Sequence, residues 1–108
     1  IYAAVSHLPH ILSYALMASV VNSEDADQKL SHVGAGFKDF TRIAASDVDM
    51  WRDVFLNNRE AVLEMLSRFS EDAHAFGRAI RRGEAGFIED RIERGRKIRR
   101  SLIERKQA

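Results

Sequence analysis

No cysteine occurs in the 108 residues, which excludes a disulfide framework and a thiolate metal site. A cysteine-free chain fits a reducing compartment, and a cytoplasmic location is the expectation. Proline appears once and glycine six times, too sparsely for a turn-rich β architecture. Charge is missing from one end: residues 1–23 contain no Asp, Glu, Lys or Arg, a length at which a membrane span must be considered. His7, Pro9, His10, Asn22 and the serines inside that stretch, with no basic residue flanking it, speak against a span or a targeting peptide. A helix buried between protein surfaces is the expectation instead.

What is present is ordinary for one globular domain: 45% hydrophobic and 31% charged residues. The net charge of +1 hides an asymmetry. Residues 1–77 hold 6 Lys/Arg against 11 Asp/Glu, and residues 78–108 hold 11 against 5. A basic tail raises the question of nucleic acid, while two halves of opposite sign can also attract each other across a dimer. The tail has neither interleaved aromatics nor a DNA-reading pattern, so no nucleic-acid partner is expected. The chain begins at Ile1 rather than Met and reads as a piece of something longer.

Hydrophobic spacing predicts an all-α fold of about five helices. The first covers 2–22 and should bend near 5–9, because Pro9 removes a backbone donor. Residues 22–36 read as a loop, and 37–46 as a short helix with Phe37, Phe40 and Ile43 at helical spacing. Ser46 or Asp47 can cap the next helix, whose apolar face is Met50, Trp51, Val54 and Phe55. Asn57 with Glu60 resembles a capping box. Val62, Leu66, Phe69, Ala73, Phe76 and Ile80 then form a heptad stripe that Gly83 ends. The last helix, about 84–105, carries Ile88, Ile92, Ile98 and Leu102 and should fold back as a hairpin. These faces are too wide for one small monomer, so an interleaved helical dimer is expected.

Three groups can carry chemistry. His7 and His10, three residues apart, share one helix face. They read either as polar residues satisfied by neighbouring backbone or as a substrate site at the helix bend; no third ligand stands near for a metal. Arg42 lies on an apolar segment between Phe40 and Ile43, where its fork suits a carboxylate, unless Asp39 three residues earlier pairs with it. Trp51 packs in a core or closes a site. The arginines of the last helix follow a solvated face.

Two motifs in order, "AAVSHLPHILSYAL" and "GAGFKDFTRIAASDVDMWRDVFLNNRE", strongly resemble the C-terminal helical domain of prephenate and arogenate dehydrogenases. The resemblance covers residues 1–82. It implies a single all-α C-terminal domain over 1–108 that forms a homodimer, and a separate N-terminal Rossmann domain for NAD or NADP. This chain has no glycine fingerprint for a dinucleotide, so that domain and the family's catalytic histidine lie outside it. The implied reaction is oxidative decarboxylation of prephenate or arogenate in tyrosine biosynthesis, and the fragment alone should be inactive.

By the same resemblance His10 lines the substrate pocket, with Ser6 and His7 beside it and His7 open to a structural role. Arg42 binds a substrate carboxylate, and Ala35, Asp39, Ser46 and Trp51 shape or close the pocket. Two departures stand out. The family usually has three glycines where this chain has Gly34-Ala35-Gly36, and often a proline in place of Val48. An alanine is tolerable there if its φ is negative. The rival expectation is a non-catalytic helical dimerisation module that retains the scaffold.

Overall fold

The computed structural model describes residues 1–106; Gln107 and Ala108, which fall within the expected domain, lie outside the described residues. The fold is all-α, with no strand among the described residues. A π-helical turn, Ala3–His7, runs into α1 (Leu8–Val21), followed by α2 (Ala26–Leu30) and α3 (Ala35–Thr41). A 3-10 turn, Arg42–Ala44, leads to α4 (Val48–Asn57), α5 (Arg59–Arg82) and α6 (Ala85–Glu104). The contacts gather into two compact units, Ile1–Ser67 and the segment from Arg68 onward, with α5 continuing from the first into the second.

In the first unit the bend expected at Pro9 takes the form of the π turn. Pro9 has no N–H, so the ladder is interrupted there, and the Leu8 N–H reaches back to the Ala3 carbonyl instead. Pro9 then stands in the first turn of α1, where a missing donor costs little. Small side chains line the closest packing: Ala3 is buried and Ser13 is fully so. The Ser13 hydroxyl has no hydrogen-bond partner. Helix α1 packs against α2, α3 and the 3-10 turn.

The segment 22–36 is more ordered than a loop. It holds α2, in which Lys29 bridges Asp25 at 3.0 Å across one helical turn. That partner holds the Asp25 carboxyl below the usual carboxylate range. The short helix expected at 37–46 starts two residues earlier and ends in the 3-10 turn. Asp47, not Ser46, caps α4, its carboxylate accepting the Met50 N–H at 2.8 Å. The capping box placed at Asn57 is not formed, because Asn57 is the last residue of α4. The backbone breaks one residue later, at Asn58, with φ −117° and ψ 35°.

In the second unit α5 ends as its sequence dictates. Gly83 adopts φ +67°, Glu84 N–H donates to Ala79 at 2.9 Å, and Gly83 N–H donates to Ile80 at 3.3 Å. This pair of bonds closes the helix with a left-handed residue that glycine adopts without strain. Phe76 meets Phe87 edge to face across the hairpin, Ala79 is buried, and Arg91 lies 4.7 Å above Phe87. Arg94 and Arg96 pair with Asp90 and Glu93 along the exposed side of α6.

The apolar stripe is only partly covered. Val62 is buried, but Phe69, Phe76 and Ile80 are 40%, 36% and 66% exposed. On α6, Ile92 and Ile98 are 55% and 64% exposed. Such a row of large apolar side chains is uncommon on a surface that faces only water.

Candidate functional site

The two histidines of the first motif meet the second motif at Trp51, in the first unit. The His10 ring lies flat on Trp51, ring centres 3.5 Å apart and planes inclined by 20°. His7 approaches the same indole edge-on, 6.2 Å away at 80°. One helical turn further along each helix, Tyr14 and Phe55 extend the cluster, with Trp51 and Phe55 5.7 Å apart and Tyr14 and Phe55 6.4 Å apart. None of these rings is fully buried. The cluster is therefore a wall with an open side.

The imidazoles are held by different partners. His10 Nδ1 lies 3.0 Å from the Ser6 carbonyl, which only accepts, so Nδ1 carries a proton and Nε2 is the free end of the ring. Ser6 thus enters the site through its backbone. His7 Nδ1 lies 3.2 Å from the Asn58 amide nitrogen.

Beside Trp51 opens a cavity of about 290 Å³, lined further by Tyr14, Ala44, Ser46, Val48, Arg52 and Phe55. Its lining is mainly apolar and aromatic, with room for one substituted ring. The Ser46 hydroxyl donates to the Ile43 carbonyl and so closes the 3-10 turn rather than facing the cavity as a free donor.

Two arginines, Arg52 in the cavity lining and Arg42 two residues before the lining residue Ala44, differ in what they can bind. Arg52 is occupied: Nε reaches Asp53 at 3.0 Å and a terminal nitrogen reaches Asp49 at 3.4 Å. Arg42, on the 3-10 turn that packs against α1, makes no ion pair or hydrogen bond among the described residues. The pairing with Asp39 considered from sequence is not formed; both side chains are exposed and separate. Arg42 keeps its full donor fork for an anion from outside the chain.

Ala35 and Asp39 lie on α3, away from the ring cluster's own contacts. Among the described residues positive φ occurs only at Gly83 and Lys106, so Ala35 sits in ordinary helical space and needs no glycine. A Cβ added at Gly34 or Gly36 would meet no atom of this chain, which leaves that turn open to a neighbour.

The sequence reading brings out His7, His10, Trp51 and Phe55 but misses Tyr14 and Asn58. Tyr14 and Phe55 are four residues from His10 and Trp51, a signal that helical spacing carries. Asn58 has no such signal, since its partner stands 51 positions away. No strand, and so no βαβ unit, forms among the described residues.

Comparison with known proteins agrees with the two motifs. The family profile described as "Prephenate dehydrogenase, dimerization domain" matches residues 1–92. Cyclohexadienyl dehydrogenase of Zymomonas mobilis is 30% identical over 104 residues, covering 94% of this chain and 36% of that protein. Prephenate dehydrogenase of Lactococcus lactis is 35% identical over 99 residues, covering 91% of this chain and 28% of that protein. The crystal structure of prephenate dehydrogenase from A. aeolicus, in complex with hydroxyphenyl propionate and NAD+, superposes with a TM-score of 0.81. It is 36% identical, over 94% of this chain and 36% of its own. The chain spans about a third of the length of these relatives. With its helices, its motifs and the profile in agreement over residues 1–92, this chain belongs to the prephenate dehydrogenase family and corresponds to its dimerization domain.

Proposed function

We propose that this chain is the substrate-binding and dimerisation domain of a dehydrogenase that oxidatively decarboxylates prephenate or arogenate in tyrosine biosynthesis. The observation that carries the proposal is Arg42, a guanidinium without a partner among the described residues, on the segment that packs against the histidine helix. An unpaired fork suits a carboxylate, and the aromatic wall around Trp51 suits a six-membered ring. Hydroxyphenyl propionate, present in the A. aeolicus structure, combines those two features in one molecule.

In this reading His10 presents Nε2 to the substrate from its place on Trp51, while Arg42 binds a carboxylate. His7 and Ser6 hold His10 and the helix bend in place, and Ala35, Asp39, Ser46 and Trp51 shape the pocket. NAD or NADP and the catalytic histidine belong to an N-terminal domain outside this chain. The whole of 1–108 acts as one C-terminal domain, and the uncovered apolar residues of α5 and α6 pack against a second copy. Ala3–Val21 is long and apolar enough to cross a membrane, yet it carries the two histidines of the site. We read it as an interface helix of a cytoplasmic dimer.

The test is steady-state turnover. The full-length protein is expected to reduce NAD or NADP with prephenate or arogenate, and the 108-residue chain alone is expected to show no turnover. A folded full-length dimer inert toward both substrates would make this a non-catalytic dimerisation module. Activity in the isolated chain would mean that its own residues hold the catalytic group.

A further inference from the structure

Asn58 sits where α4 gives way to α5, and its backbone serves both helices: its N–H donates to Val54 and its carbonyl accepts from Val62. Its side chain is not spent on the junction. The amide nitrogen lies 3.2 Å from Nδ1 of His7. An amide nitrogen only donates, so His7 Nδ1 accepts and the ring proton is on Nε2. His10 is fixed the other way, with its proton on Nδ1 toward the Ser6 carbonyl. The two imidazoles of one motif are therefore held as opposite tautomers, by two different kinds of partner.

Trp51 stands against both rings. It is only half-buried, so burial alone does not choose one orientation for the indole. The edge contact with His7 restricts it on one side, and the flat face that results is the surface on which His10 lies. His7 in turn is anchored to α1 by its own backbone and to the α4–α5 junction by Asn58. We infer that Asn58 is a positioning residue of the substrate site: it holds His7 in the Nε2–H form against Trp51 and so sets the angle at which His10 faces the substrate. This rests on the reading of His10 as a substrate-binding residue.

A double-mutant cycle in the full-length enzyme tests it, because residues that act through one another have effects that do not add. Asn58→Ala is expected to raise KM for prephenate about tenfold with kcat changed less than about twofold, as loss of positioning does. His7→Phe should do the same, and the double variant should be no worse than the more impaired single one. Additive effects, or an Asn58→Ala enzyme with unchanged KM, would overturn the inference, since a purely structural role at the junction does not pass through His7. A second readout is independent of turnover: the fluorine resonance of 5-fluorotryptophan at position 51, assigned by its loss in Trp51→Phe. Asn58→Ala and His7→Phe should shift it alike, without addition in the double variant. Should Asn58→Ala fail to fold, Asn58→Asp removes the donor at nearly constant shape and completes the same cycle. If the wild-type enzyme does not oxidise prephenate, the functional reading falls. The fluorine shifts then decide on Asn58 alone, coupled shifts supporting it and additive or absent shifts overturning it.

Discussion

Replacing Arg42 by alanine in the full-length protein is expected to raise KM for prephenate by roughly 30- to 1000-fold, equivalent to about 2–4 kcal/mol, and to leave kcat within a few-fold. The size follows from what the guanidinium does in the free protein. Arg42 has no partner among the described residues to give up, so the whole of a charge-assisted, two-pronged contact is available to the ligand. Arg42→Lys should recover only part of the loss, because an ammonium keeps the charge but not the fork. Arg52→Ala is the internal control. Arg52 lines the cavity, but Asp49 and Asp53 already take up its charge, and KM should change by less than about threefold. Steady-state kinetics on the three variants checks the prediction; equal effects at Arg42 and Arg52 would remove the distinction on which the site is built.

Trp51→Ala should lower unfolding stability by about 2–3 kcal/mol, somewhat less than a fully buried tryptophan because the indole keeps some exposure. It also deletes three ring contacts at once, to His7, His10 and Phe55. Each such pair is worth about 0.5–1.5 kcal/mol beyond its buried area. Substrate affinity should fall with it, since His10 then has no surface to lie on. Trp51→Phe keeps a ring of smaller area and should retain most of the stability. Urea titration of both variants measures the difference. A loss under about 0.5 kcal/mol for Trp51→Ala would mean that the cluster holds nothing together.

Helix existence was readable from this sequence because local signals agree with the fold. The Val62–Ile80 stripe is helical throughout, Gly83 takes the left-handed conformation its place after Arg81-Arg82 calls for, and Asp47 caps α4. Where two local choices competed, the sequence did not decide. Asn57 and Asn58 are both adequate junction residues, and only packing determines that the break falls at the second. The segment 22–36 looked like a loop because Glu24, Asp25, Asp27 and Lys29 are polar, yet one ion pair across a turn supports a short helix.

The site divides in the same way. His7, His10 and Arg42 are visible as polar residues out of place on apolar segments, and Trp51 as the single tryptophan on the apolar face of α4. The state of Arg42 is not, because Asp39 three residues earlier is an equally good partner by spacing, and only the folded chain leaves them apart. Asn58 is invisible for a different reason: a bond between positions 51 apart depends on how α1 and the α4–α5 junction meet.

The central claim is that His10 and Arg42 belong to one anion-binding wall. Calorimetric titration of the full-length protein with hydroxyphenyl propionate tests it most directly, without requiring turnover. The wild-type protein should bind this aromatic carboxylate, and the His10→Ala/Arg42→Ala variant, folded by circular dichroism, should bind it at least about 100-fold more weakly. No binding by the wild-type protein, or equal binding by the variant, would contradict the account.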